Sequence, residues 1–560
     1  MFSCNLIVAV IFTVILCNEI KCETSFKSTE VTENPVIETK LGLIQGNLRN
    51  ESGFVFEEFL GIKYATVPKR FKYSTLLNQR WDGILKANEY GPICPQQDAK
   101  LATSEDCLYL NVWRPTGLSD ETLLPVLFWV HGSGWRHGSG AGNPGGILAA
   151  DGKIIVVTIN YRLGALGFGF GDENEIQGNQ GISDAINGLK WVRENIGCFG
   201  GDPSQVTLAG HSAGSMLGSI IPVMPTLDHS LYSKLWLMSG VSTITKIIEN
   251  TTIALAKTKL LASKVGCGSV TPGPLAPEVI ECLQNVNVSI LIDRNQDEDI
   301  RVIGGAEGPA FLPVYGTPLV PAPVIDLFLS SYGKIEKKII FNGVHQDEAT
   351  PWIGNLSLNT RDEAYAGAWF KLSYIKKDLT AEQMKPFFDY YFNGIQDGDT
   401  KSFRVALAKF VTDLSFRCPS ICLSEIFSTY HSVRFGEYTY ISDKDGPQAR
   451  PDGPQHGDSI PLYFGQPFAS NPTRRRTGSY SGKDKNLSLR LMKTMSDFVY
   501  GVEPLDWPEL HFDKKNPEKK PKIKIINLTD SIVEFDDQSL CFKWAKLLNF
   551  EITSNSTSLY

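Results

Sequence analysis

Long apolar runs bounded by Gly, Pro and Asp recur through the middle of the chain. VLFWV (Val126 to Val130), IIVVTIN (Ile154 to Asn160), VTLAG (Val206 to Gly210), LWLM (Leu235 to Met238) and KIIFNGV (Lys338 to Val344) are near-continuous rather than alternating. A strand with one wet face alternates, so these runs read as strands covered on both faces, as in a mostly parallel sheet. Between two of them Ile186, Leu189, Val192 and Ile196 recur at steps of three, three and four, one apolar stripe on a helix that Ser183 is placed to cap. Strands alternating with such helices predict an α/β fold: a central twisted, mostly parallel sheet with helices on both faces and large insertions. No internal repeat or low-complexity linker marks a boundary, so residues 23–560 are expected to form one domain.

The start of the chain has a different pattern. Residues 6–17, LIVAVIFTVILC, form an apolar stretch shorter than the roughly 17–25 residues of a membrane-spanning helix, and it reads as a secretory signal. Residues 1–22 are assigned to that signal, with cleavage between Cys17 and Glu23. A secreted protein is expected, with no later membrane span. Sequons at Asn50, Asn250, Asn287, Asn355, Asn486, Asn527 and Asn555 fit export as glycosylation candidates.

Composition narrows the function. Of 560 residues 42% are hydrophobic and 21% charged, which supplies a large core and excludes a disordered chain. Fifty-four Lys and Arg against 61 Asp and Glu leave a net charge of −7, so nucleic acid is not an expected partner. The basic clusters at Arg474 to Arg476 and Lys514 to Lys524 read as solvated loops. No paired CxxC motifs suggest zinc, and no metal or cofactor is expected.

The sharpest chemical signal is Gly210-His211-Ser212-Ala213-Gly214, directly after the strand-like VTLA and before a helix-compatible stretch. A serine hydroxyl is a weak nucleophile at neutral pH, so a tight strand-to-helix turn must project its oxygen toward a base. With this motif the expected chain order is Ser, then acid, then His. His229, His345, His431, His456 and His511 follow Ser212. His431 lies in a helix-like segment, IFSTYHSVRF, and His511 follows a turn, so both read as structural. His456 sits in the Gly- and Pro-rich loop GPQHGDS after EYTYIS, where a base can overhang a pocket. Glu348, in NGVHQDEAT after the run KIIF, stands at an equivalent strand end, with Asp347 as the rival acid. The Gly-rich turn His131-Gly132-Ser133-Gly134-Trp135 after VLFWV offers backbone N–H donors for an oxyanion, and the N–H of Ala213 offers another.

Through these residues the chain resembles the type-B carboxylesterase and cholinesterase family of the α/β-hydrolase fold, most closely an invertebrate member. The resemblance runs from about Pro35 to Leu547. It rests on FLGIKYATVP (Phe59 to Pro68), EDCLYLNVW (Glu105 to Trp113), VTINYRLGALGF (Val157 to Phe168), the segment from Gly178 to Gly214, and HGDSIPLYFG (His456 to Gly465). It implies Ser212 as nucleophile, Glu348 as acid, His456 as base, and Ser133, Gly134 and Ala213 as oxyanion donors. It also implies disulfides Cys94 with Cys107, Cys267 with Cys282, and Cys418 with Cys541, leaving Cys198 and Cys422 as buried thiols; Cys422 is the rival partner of Cys541. The activity implied is that of a secreted carboxylic-ester hydrolase with a small-molecule ester substrate. A non-catalytic cholinesterase-like adhesion or ligand-binding protein is the alternative.

Two departures limit the resemblance. Ser133 stands where the family's oxyanion turn has glycine, which strains the turn if a positive φ is needed there. His211 stands where choline-binding members carry an acidic residue, and the twelve residues between Cys94 and Cys107 include no aromatic. Choline esters are therefore disfavoured.

Overall fold

A computed structural model describes residues 34–548, apart from 119–121, 244–246, 269, 304–307, 332–335, 354–355, 374–377, 443–452, 471–478, 503–506, 514–515, 517–518 and 537. Residues 1–22, read from the sequence as a signal, both Asn355 and Asn555, and the cluster Arg474 to Arg476 lie outside the described residues.

The centre is an eleven-stranded sheet. In chain order its strands are β1 (Asn47–Glu51), β2 (Phe54–Lys63), β3 (Tyr109–Pro115), β4 (Leu124–Val130), β5 (Ile155–Ile159), β6 (Gly201–His211), β7 (Lys234–Met238), β8 (Ile339–His345), β9 (Ser432–Tyr438), β10 (Lys522–Ile526) and β11 (Ser531–Glu534). Across the sheet the order is β11-β10-β9-β8-β7-β6-β4-β5-β3-β2-β1. The strands from β10 to β5 run parallel, with antiparallel strands added at both edges. All five apolar runs of the sequence fall in the parallel block. Strands β4, β5 and β7 are buried along their whole length, as their lack of alternation requires.

Helices cover both faces. In chain order those that bear on the site are α1 (Gly146–Gly152), α2 (Gln180–Asn195), α3 (Ala213–Ile220), α4 (Cys418–Ser428), α5 (Ile460–Tyr463) and α6 (Gly482–Tyr500). On one face Ile186, Leu189 and Val192 of α2 join Phe128 and Leu208 in one apolar cluster. On the other, Ile147 of α1 and Met495 and Phe498 of α6 pack with Trp129 and Trp236, the Trp236 ring lying 4.0 Å from Phe341 and 5.0 Å from Phe498. Burying an aromatic of this size stabilises by roughly 1.5–3 kcal/mol, so both layers hold the sheet firmly.

Three local expectations are corrected. Ser183 does not cap α2: the helix starts three residues earlier, with Asn179 at the cap position. The early start brings Asp184 round to Arg162, whose Nε and Nη2 each donate to the carboxylate at 2.8 Å, and that pairing fixes the helix start more strongly than a serine cap would. His431 is not helical. Helix α4 stops at Ser428, and His431 leads into β9, its Nδ1 accepting the N–H of Lys338 at 3.1 Å. Cys198 is not a thiol but is disulfide-bonded. The turn that carries it, Ile196–Phe199, packs against the strand Val36–Thr39. The other bridges join Cys94 to Cys107, Cys267 to Cys282 and Cys418 to Cys541. Cys422 is a thiol whose pKa burial pushes up to about 12, which leaves it unreactive.

Candidate active site

The candidate residues gather at the carboxyl ends of β4, β6, β8 and β9, where an open α/β sheet with a crossover leaves a crevice. Ser212 follows the last residue of β6 and caps α3, with φ 56° and ψ −126°. This is a strained conformation for a residue with a side chain, and neighbouring backbone holds it. The Ser212 N–H donates to the Met238 carbonyl at 2.8 Å, and its own carbonyl accepts the Met216 N–H at 2.9 Å. Strand and helix can close this sharply because the flanking positions lack side chains. A Cβ on Gly214 would run into the Val130 carbonyl, and one on Gly210 would lie 2.5 Å from the Gly214 carbonyl carbon.

The turn after β4 lies against this elbow, where a Cβ on Gly132 would sit 2.9 Å from the Ser212 Cβ. Ser133, Gly134 and Trp135 all have positive φ, at 73°, 62° and 54°. The position in question therefore does require the left-handed region, and a serine occupies it at the expense of strain. Among the described residues the N–H groups of Ser133, Gly134 and Ala213 donate to no protein acceptor. His131 anchors the turn from below. Its ring stacks on Tyr161 at 4.4 Å, the Tyr161 hydroxyl donates to its carbonyl at 2.9 Å, and burial pushes the imidazole down to about 4.

Glu348, three residues beyond β8, is fully buried and reaches His456. Its Oε2 lies 2.6 Å from His456 Nδ1, and its Oε1 accepts the backbone N–H of His345 at 2.7 Å. Burial works against the charge, but the His345 and His456 rings and their hydrogen bonds outweigh it and hold the carboxyl well below the usual carboxylate range. Asp347, the rival acid, turns instead toward the start of the His456 loop, where its carboxylate occupies the space a Cβ on Gly453 would need.

His456 retains partial exposure, and aromatic rings surround it: His211 at 4.5 Å, Trp352 at 5.0 Å and Phe416 at 5.1 Å between centroids. His211 is the residue before Ser212, so this contact brings the elbow and the His456 loop together. Among the described residues no side-chain hydrogen bond is made by Ser212. A cavity of about 340 Å³ lies elsewhere, lined by residues including Arg70, Glu105, Leu108 and Arg162. Its arginines are already paired, Arg70 with Glu105 and Arg162 with Asp184, and it contains none of the residues above.

Sequence reasoning passed over three groups that touch this cluster: His345, Ser239 and Ser459. His345 and Ser459 each stand three residues from a predicted site residue, Glu348 and His456, and that spacing was the available signal.

The strand order, parallel block and strand-to-helix elbow define an α/β hydrolase. The model of the carboxylesterase family matches residues 33–536, and the chain belongs to that family. Carboxylesterase 4A of Bos taurus is 28% identical over 518 residues, 86% of this chain and 91% of that protein. Acetylcholinesterase-1 of Trittame loki is 30% identical over 535 residues, covering 87% and 89%, and neuroligin-2 of Mus musculus is 29% identical over 529 residues, covering 84% and 60%. Among the described residues no helix is long and apolar enough to cross a membrane.

Proposed function

We propose that the chain is a secreted serine hydrolase of carboxylic esters that works through an acyl-enzyme on Ser212. His456 takes the Ser212 hydroxyl proton as Oγ attacks the ester carbonyl, and then gives it to the departing alkoxide. Water attacks the acyl-enzyme with His456 again as base, which releases the acid and restores the serine. Glu348 orients the imidazole and stabilises its charged form. The N–H groups of Ser133, Gly134 and Ala213 receive the oxyanion of each tetrahedral intermediate. The observation that carries this reading is the 2.6 Å contact between Glu348 and His456 beside the Ser212 elbow.

Trp352 and Phe416 stack at 5.5 Å beside His456, and Trp352 is 48% exposed, a wall suited to an apolar ester. With His211 before the nucleophile in place of an acid, neutral esters are preferred over choline esters. Export is supported by the apolar segment at residues 6–17 and by the disulfides. Asn50, Asn287 and Asn486 are exposed glycan sites, Asn250 is half-buried at a helix cap, and the Nδ2 of Asn527 already donates to Thr439.

The match to neuroligin-2 favours a second reading, a non-catalytic binding protein. One experiment separates the two. Purified protein is assayed with aryl esters of graded acyl length and treated with an organophosphate, with Ser212→Ala as the blank. Hydrolysis and labelling that vanish in the variant support the esterase; neither in the wild type supports the binder.

A further inference from the structure

We propose that His345 is a positioning residue for this reaction, one that fixes the free oxygen of Glu348 and ties down the loop carrying His456. The inference rests on the esterase reading above.

His345 ends β8 and is 1% exposed. Its Nε2 accepts the backbone N–H of Ser459 at 3.2 Å and lies 2.9 Å from the Ser459 hydroxyl. A ring nitrogen that faces a backbone N–H must present its lone pair, so the neutral ring carries its proton on Nδ1. That nitrogen is 2.9 Å from Ser239 Oγ and 3.3 Å from Glu348 Oε1. The same residue's backbone N–H is the 2.7 Å donor to Oε1, so His345 grips one carboxylate oxygen twice while the other faces His456. A carboxylate held at one oxygen only can rotate about its last bond; held at both, it presents Oε2 to His456 along one direction.

The far side of the ring does separate work. Ser459 is three residues after His456, at the cap of α5, so its bonds to Nε2 fix the loop to the end of β8. Ser239, just after β7, is fully buried with φ 56°, and its N–H donates to the Gly343 carbonyl at 2.8 Å. Strained backbone therefore places that hydroxyl against Nδ1. One ring thus joins the ends of β7 and β8 to the His456 loop. His131 shows what a packed histidine looks like in this protein: among the described residues its Nδ1 meets only the adjoining Gly132 carbonyl, and its face stacks on Tyr161.

The test compares His345→Ala, His345→Asn and His345→Gln. Turnover is expressed per Ser212 titrated with an organophosphate, so that only competent sites are counted. Asn places an N–H donor where Nδ1 stood, whereas Gln reaches toward Ser459 and leaves Oε1 without its side-chain donor. Expected for His345→Ala is a kcat lower by about 10- to 100-fold with KM within about twofold, with His345→Asn recovering most of the loss. A kcat for His345→Ala within about twofold of wild type overturns the proposal, since loss of an orienting partner typically costs tenfold or more. If the alanine variant does not fold, the other two decide: Asn more active per site than Gln supports the proposal, and Asn no better than Gln overturns it. Failure of the wild type to take the organophosphate at Ser212 overturns the esterase reading itself. A wild type that labels normally beside a fully active His345→Ala overturns this inference alone.

Discussion

The elbow around Ser212 and the loop around His456 reach the same point by different physical means. At the elbow the constraints lie in the backbone and are largely steric: the glycines at 210 and 214 let β6, α3 and the turn after β4 touch backbone to backbone, and Ser212, its N–H held by the Met238 carbonyl, is forced into its conformation. The His456 loop follows a segment outside the described residues, and side-chain hydrogen bonds fix it. Glu348 holds His456 across 108 positions of sequence, and His345 holds Ser459 across 114. Volume is what breaks the first region; hydrogen-bond chemistry with the fold intact is what breaks the second.

Gly214→Ala is the strongest test of that contrast. Its methyl would meet the Val130 carbonyl, part of a buried strand that cannot withdraw, so the substitution is expected to destabilise by more than about 4 kcal/mol, read as lost soluble yield or a collapsed urea midpoint. Glu348→Gln attacks the other region. The amide matches the carboxylate in shape but puts an N–H where His456 needs an acceptor, which favours the wrong tautomer. The expected result is a fall in kcat of about 10³- to 10⁴-fold with an unchanged circular dichroism spectrum. Asp347→Asn, made beside it, leaves turnover near wild type.

Acid separates the regions again, and the sign follows from protonation. His131 is buried neutral with its pKa pushed down to about 4, so the unfolded chain takes up a proton near pH 6.5 that the folded chain refuses. Stability on the elbow side is therefore full above pH 6.5 and falls as pH drops toward 4. Glu348 is held below the usual carboxylate range, so its contribution is present above the ordinary carboxyl pKa of roughly 4.3 and is lost only as pH falls through its lower folded value. Urea titrations between about pH 6.5 and 4.5 are expected to show unfolding free energy declining with acid, and His131→Asn to reduce that slope by at most about 1.4 kcal/mol per pH unit. An unchanged slope in the variant would place the proton uptake elsewhere.

The same division explains what could be read from residues alone. The five apolar runs announced the parallel block, because burial on both faces leaves a mark on every residue of a strand. The elbow was legible for a similar reason: its glycines and serine sit within five positions. Glu348 and its rival Asp347 are adjacent in sequence, and only the fold separates them, turning Glu348 toward His456 and Asp347 toward Gly453. His345 and Ser459 left only the faint mark of their three-residue spacing from Glu348 and His456, and Ser239 left none, because the contacts of all three exist only when the strand ends meet. The cap of α2 was misplaced because Arg162, on another element, decided where the helix starts.

The smallest effect bears on Ser133, one of the two points where the elbow side departs from the family it resembles. Ser133 occupies φ 73°, where a side chain costs about 1–2 kcal/mol, and it is followed by two other positive-φ residues, Gly134 and Trp135, in a turn expected to aim its N–H at the oxyanion. Glycine removes that strain but also frees the unfolded chain, which takes back about 0.4–1 kcal/mol, so Ser133→Gly should stabilise by no more than about 1 kcal/mol. Its effect on turnover is the more informative reading. If the serine displaces the donor, glycine restores alignment and kcat rises while KM holds, because an oxyanion contact forms only on the way to the tetrahedral intermediate. If kcat does not move, surrounding backbone already imposes the correct geometry on Ser133, as it does on Ser212, and the elbow tolerates side chains at strained positions wherever its packed neighbours leave the backbone no alternative.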